Sequence, residues 1–333
     1  MANEIESLLD YALNVGASEL IVTEGFSSAV RLSGKVCPIP DAPAVEPGML
    51  RNFVSGMDGE FGSVICGPWS GARWRVRYNR TALGNSAVFR PMLDDCPDFQ
   101  SLGVPDVMMN MLGLNSGLVV FTGPACCGKT TTATAFVSSL CQSKILRVSN
   151  LSQVSELPIR MGESLALKDS SGSVSEKISQ ALRSGSDLMW VGDFEGIPLI
   201  PVLQAAEAGA LVVLTVTAGN SAGALDALLS ETPADQRDLA RNMLASVLKA
   251  VVVQRLLAGA ENNTVPAWEV LFGTQNVATR IRSGELYSLP SIIAASASEG
   301  MMLMDDYIAK LVQSGYVSKE DAGKYVSNPA VLG

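Results

Sequence analysis

The sequence predicts an α/β protein in two parts, a parallel-sheet core preceded by a smaller α+β domain. Three observations carry that reading. Residues 118–122, 145–149, 188–191 and 211–217 are apolar at successive positions, as strands buried on both faces of a parallel sheet are. Helical patterns fall between and after them. The chain also changes character near residue 113: before it the strand signals are short and punctuated by Gly and Pro. A length of 333 residues exceeds what one core usually serves, so two domains are expected.

Taken in order, residues 3–14 alternate apolar and polar at helical spacing, and residues 20–23, 29–32, 63–66, 73–77 and 86–89 read as strands. Residues 1–93 therefore form a small α+β domain. Residues 94–112 carry Asp94, Asp95, Pro97, Asp98 and Pro105 before an apolar run at 107–112, which reads as a linker followed by a docking helix. From 113 to 333 strands and helices alternate. Ser173 and Glu176 form a capping box ahead of a helix over 178–182. Thr232 as N-cap, Pro233 at the first position and Asp235 predict a long helix over 235–257. Met302, Leu303, Tyr307, Ile308, Leu311 and Val312 have helical spacing, and Ser318 with Asp321 marks another helix start. The alternation is that of a RecA-like core, without an internal repeat or a low-complexity tract.

Composition narrows the functional class. Apolar residues make up 47% of the chain, yet no stretch approaches the ~18 uncharged residues of a membrane span. The opening Met-Ala-Asn-Glu-Ile-Glu-Ser lacks the basic-then-apolar order of a secretory signal, which predicts a cytoplasmic protein. Its six cysteines are expected as thiols, and with no His in the chain and no C-x₂-C pair the sequence argues against structural zinc. A net charge of −9 with no basic run argues against nucleic acid as a partner.

One motif carries the chemistry. Gly123, Pro124, Ala125, Cys126, Cys127, Gly128, Lys129 and Thr130 form a G-x-x-x-x-G-K-[ST] loop, followed by Thr131 and a helix-like run to residue 140. Such a loop wraps phosphate oxygens in consecutive backbone N–H groups at a helix N-terminus. Lys129 reaches the outer phosphates and Thr130 offers a hydroxyl to Mg²⁺. A plain strand-to-helix turn with an incidental Lys is the alternative, and the flanks and spacing speak against it.

Further segments carry a resemblance. Gly16 to Glu19, Thr23 to Gly25, Ala72 to Val76 and Val88 to Pro91 precede the loop; Asp187 to Asp193, Ala205 to Gly209, Asn220 to Ala222, Val252 to Leu256, Trp268 to Val270, and Gly300, Met301 and Asp305 follow it. In that order the chain resembles the PilT family of type IV pilus retraction ATPases over nearly its whole length. The resemblance implies a PAS-like domain over 1–93 and a RecA-like domain over 113–333. It further implies ATP and Mg²⁺ as cofactors and a hexameric ring acting on an inner-membrane pilus platform protein, hence a cytoplasmic protein peripheral to the inner membrane.

Departures from the family pattern fall on the chemistry. The acidic box that supplies the family's water-activating Glu aligns with Ser149, Asn150, Leu151, Ser152 and Gln153, which hold no carboxylate; general-base catalysis contributes typically 10²–10⁴-fold. Glu156 is the nearest substitute. Asp193 stands where the family has Glu, either toward Mg²⁺ or as an N-cap to the helix with Pro198. The two His-box positions are Ala210 and Thr217, and Thr215 and Thr217 read either as phosphate-linked donors or as plain β formers. Arg73, Arg75 and Arg90 match the family's arginine fingers, which act at the γ-phosphate; their alternative is ion pairing at the surface. Cys126 takes the place of a Gly, and an anion-binding loop predicts lowered thiol pKa values for Cys126 and Cys127, or else two tolerated small residues. The segment 292–296 lacks the Arg or Gln and the Gly of the family's retraction motif. Two functions follow, a motor ATPase with weakened hydrolysis or a non-hydrolysing regulatory paralogue acting with a competent pilus ATPase. A metabolic P-loop kinase and a DNA translocase fit the sequence less well.

Overall fold

The computed structural model describes residues 2–32, 35–55, 64–81, 84–92, 95–152, 157–167, 172–194, 196–260 and 263–333. It divides into two compact units, one of Met1–Asp95 with Val154–Pro158 and the other of Cys96–Gln153 with Ile159–Gly333. No helix among the described residues is long and apolar enough to cross a membrane.

In the first unit α1 (Ala2–Asn14) leads into β1 (Glu19–Thr23), β2 (Ala29–Leu32) and β3 (Lys35–Pro38), then α2 (Met49–Ser55), β4 (Val64–Trp69), β5 (Ala72–Thr81) and β6 (Gly84–Met92). The strands pair in the order β3-β2-β1-β6-β5-β4, every pair antiparallel. Leu9 from α1, Leu50 from α2 and Leu20, Trp74 and Phe89 from the sheet fill its core. The buried Trp74 indole N–H is satisfied by the Trp69 carbonyl at 3.0 Å.

The second unit opens with Cys96 and Phe99 and the short α3 (Asp106–Met109), which pack with Met108 and Met111 into its core. Then come β7 (Gly117–Gly123), α4 (Lys129–Ser143), β8 (Arg147–Asn150), β9 (Leu165–Leu167), α5 (Val174–Arg183), β10 (Leu188–Asp193), α6 (Leu199–Glu207), β11 (Leu211–Thr217), α7 (Ser221–Ser230) and α8 (Arg237–Val247). After these follow β12 (Leu248–Ala258), β13 (Thr264–Phe272), α9 (Gln275–Ser283), α10 (Leu289–Ala295), α11 (Met304–Gln313) and α12 (Lys319–Ala322). The sheet order is β13-β12-β7-β11-β10-β8-β9, parallel except where β13 turns back on β12. Alternate residues of β7 feed opposite layers: Leu118 and Val120 join one apolar cluster, Val119 and Phe121 the other. This is why the strand signal in the sequence is continuous rather than alternating.

The structure corrects one predicted helix. The segment 235–257 is a 3₁₀ turn, the helix α8 and then the strand β12. Val251, Val252 and Val253 are β-branched and lie between β7 and β13, so strand pairing with full burial takes over where α8 ends at Val247. Thr232 does not cap; its hydroxyl is buried without a partner. The capping box at Ser173 and Glu176 forms with both reciprocal bonds, and the Ser318 side chain accepts from the Asp321 N–H as expected.

Candidate nucleotide site

The loop from Gly123 to Lys129 joins the end of β7 to the start of α4, and its conformation follows from close approach to β12. Gly123 has φ 151°, and a Cβ there would lie 2.2 Å from the Gln254 carbonyl oxygen and 2.6 Å from the Cys127 Sγ. Only a bare backbone fits. Gly128 caps α4 at φ 87°, and Cys126 holds a left-handed φ of 62° that the sequence assigns to a displaced Gly. Such a conformation costs a non-glycine residue about 1–2 kcal/mol.

Gln254 braces this loop. It is 5% exposed on β12; its amide lies beneath Gly128 and its Oε1 accepts from the Thr132 hydroxyl at 2.8 Å. Thr132, 1% exposed on α4, has no route to water. The Lys129 Nζ donates to the Pro124 carbonyl at 2.9 Å, which sets the ammonium over the loop. Thr130 and Thr131 are half-buried in the first turn of α4. Bare backbone at Gly123, a helix N-terminus and the ammonium of Lys129 together fit a polyphosphate.

The thiol expectation fails for Cys127. Burial pushes its pKa up, more than Lys129 and the backbone N–H groups beside it pull it down. Cys126 is exposed.

The remaining site positions stand along the ends of the strands. Thr217 pairs with Gly123, Phe121 with Thr215, and Thr215 with Asp193. Asp193, exposed at the end of β10, accepts from the Thr215 hydroxyl at 3.1 Å and does not cap the helix after Pro198. Thr215 lies within β11 and spends its hydroxyl on Asp193. Ala210 is buried. In the segment aligned with the acidic box, Ser149 is buried in β8, and the Asn150 Oδ1 accepts from both the Ser152 N–H (3.2 Å) and the Ser152 hydroxyl (2.6 Å). Ser152 in turn occupies the space beside Gly192, where a Cβ would meet it at 2.6 Å. Glu156 lies outside the described residues. Among the described residues no cluster of three or more acidic or thiol side chains could hold a metal.

The arginines belong to the first unit. Arg73 and Arg75 lie on β5, each engaged, and Arg90 on β6 pairs with Glu19 at 2.5 Å. Glu19 also accepts from Arg31 at 2.7 Å. Burial pushes Glu19 up, but the bonds and charges of Arg31 and Arg90 outweigh it, and the carboxyl lies below its ordinary value.

Sequence reasoning missed Gln254 and Thr132 as parts of the site. The signal was there: Gln254 interrupts the apolar run 250–253 of β12 and is buried, whereas the charged Arg255 beside it is not.

Against known proteins, the sequence model of the family described as Type II/IV secretion system protein matches residues 71–284. The chain belongs to that family. It is similar to the type IV pilus retraction ATPase PilT of Pseudomonas aeruginosa, 27% identical over 98% of this chain and 99% of the relative. The type IV pilus ATPase PilU of the same organism is 26% identical over 96% and 87%. Among solved structures, the pilus retraction motor PilT with bound ADP superposes with a TM-score of 0.79, 23% identity and 98% coverage of both chains. The ATPase DotB of Legionella pneumophila gives 0.77, with 17% identity over 96% and 94%. The PilT resemblance read from the sequence stands, and this family member has the α/β fold of PilT and DotB.

Proposed function

We propose that this protein is an ATP-binding subunit of a type IV pilus or related secretion machine, built on the hexameric motor plan, with weakened hydrolysis. The observation that carries the reading is a phosphate loop kept and braced by Gln254, in a chain whose acidic-box segment offers a buried Ser149 and an Asn150 amide closed on its own turn in place of carboxylates. Residues 123–131 hold the nucleotide phosphates, and Lys129 exchanges its carbonyl partner for phosphate oxygens. Thr130 and Asp193 hold Mg²⁺, which supplies charge neutralisation when bound. Arg73, Arg75 and Arg90 stabilise charge on the terminal phosphate, and for Arg90 this requires release from Glu19. Glu156 is the substitute proton acceptor. The PAS-like domain over 1–93, the linker and docking helix over 94–112 and the RecA-like domain over 113–333 belong to the same proposal. So do a site of action at the cytoplasmic face of the inner membrane, a platform protein as partner, and a homo-hexamer.

The Asn150 turn also favours the second reading, a non-hydrolysing paralogue beside a competent pilus ATPase. ATP binding and turnover measured side by side separate the two, with Lys129→Ala as control. Slow turnover abolished by Lys129→Ala supports the motor; binding without Lys129-dependent turnover supports the paralogue; absence of ATP binding refutes both.

A further inference from the structure

Away from the phosphate loop, three buried polar atoms without a hydrogen-bond partner among the described residues fall in one corner of the second unit: Arg237 Nε, Arg241 Nε and Thr232 Oγ1. Both arginines line a pocket of about 90 Å³ with Asp226 and Ser230 of α7 and Gly284 after α9. That is several times the space one water needs. Arg237 and Arg241 are four residues apart on α8, so their guanidinium groups share a face.

Each guanidinium is anchored by one arm. Arg237 Nη2 donates to the Thr232 carbonyl at 3.4 Å, and Arg241 Nη1 pairs with Asp238 at 2.7 Å from the solvent side. Both Nε–H groups are buried without an acceptor, and the second terminal nitrogen of each guanidinium, Arg237 Nη1 and Arg241 Nη2, is left for a group in the pocket. The group that suits two guanidinium forks is a compact oxyanion with several acceptor oxygens. Asp226 makes no ion pair among the described residues and its charge opposes such a ligand, which limits affinity without removing the donors.

We propose that this pocket binds a phosphate group, as a site separate from the phosphate loop. The probe is inorganic phosphate, titrated by calorimetry into the Lys129→Ala protein so that binding at the loop does not mask the second site. Saturable binding is expected, weakened roughly tenfold or more by Arg237→Gln and by Arg241→Gln, since each removes a charge-assisted bond. Asp226→Asn is expected to tighten it, an arm that remains readable if an arginine variant fails to fold. A parallel titration with ADP identifies the source: competition with phosphate assigns the site to a nucleotide phosphate, and its absence to the free ion. No saturable phosphate binding, or binding indifferent to both arginine substitutions and to Asp226→Asn, overturns the proposal and leaves the donors to water.

Discussion

Replacing Gln254 by Leu removes the acceptor under the phosphate loop while keeping much of the side-chain volume. Thr132, 1% exposed, would then keep a hydroxyl with neither Gln254 nor solvent as partner. An unpaired buried polar group costs about 1–3 kcal/mol. Thr132→Val gives a similar cost by the opposite route, since it strands the Gln254 carbonyl oxygen, which is buried at 5% exposure. In the double variant both ends of the bond are apolar, so the two penalties should not add. The cycle should give a coupling of about 1–2 kcal/mol, above the ~0.5 kcal/mol scatter of independent sites. Urea unfolding followed through Trp190 and Trp268, both in the second unit, gives the stabilities, and calorimetric ATP titration gives the affinities. Because the Gln254 backbone and amide also bear on Gly123 and Gly128, Gln254→Leu should weaken ATP binding by about tenfold, the equivalent of ~1.4 kcal/mol. Additive stabilities, or ATP affinity unchanged in Gln254→Leu, would refute the bracing role.

Three further outcomes are expected. Cys126→Gly relieves about 1–2 kcal/mol of left-handed strain and forfeits about 0.5–1 kcal/mol to the freer unfolded chain, so unfolding should show a net gain of up to about 1.5 kcal/mol that Cys126→Ala does not give. Glu19, held below its ordinary value by Arg31 and Arg90, contributes stability above the unfolded carboxyl pKa of about 4.3 that is lost as pH falls through its folded value; Glu19→Gln should flatten that acid limb in melts between pH 3 and 7, and an unchanged limb would show the pair to be inert. Asn150→Asp retains both bonds from Ser152 and places a carboxylate at the end of β8. It should raise Lys129-dependent turnover by about tenfold or more if a missing proton acceptor limits the reaction, and unchanged turnover would locate the limit elsewhere.

The core strands and the phosphate loop were legible because burial on both faces and a fixed Gly-Lys spacing leave marks in the sequence itself. Residues 211–217 are strand throughout, and the loop lies between β7 and α4 as read. The segment 235–257 was misread because the start signals at Thr232, Pro233 and Asp235 say where a helix begins and not where it ends; only pairing with β7 and β13, which are distant in sequence, decides for strand. The Cys127 thiol was misread for a similar reason. The helix N-terminus is visible in the sequence, whereas packing against Gly123 beside β12 is not. Gln254 and Thr132 meet across 122 positions, a bond no local pattern announces.

The arrangement of strands separates holding a nucleotide from breaking it. The parts that hold the loop stand on β12 and β7: the Gln254 carbonyl against Gly123, its amide beneath Gly128, and its bond to Thr132. The departures at the acidic-box segment and at Asp193 stand on β8 and β10, with β11, which carries the further departure Thr217, between them and β7. There Asn150 closes on Ser152, Ser152 fills the space at Gly192, and Asp193 takes the Thr215 hydroxyl, so these residues are packed on one another and not on the loop. Changes on β8 and β10 can therefore alter turnover while the loop keeps its shape, and changes on β12 act on affinity first. A chain with this layout can lose its acidic box and still answer to ATP, which is the combination of retained and altered residues that it carries.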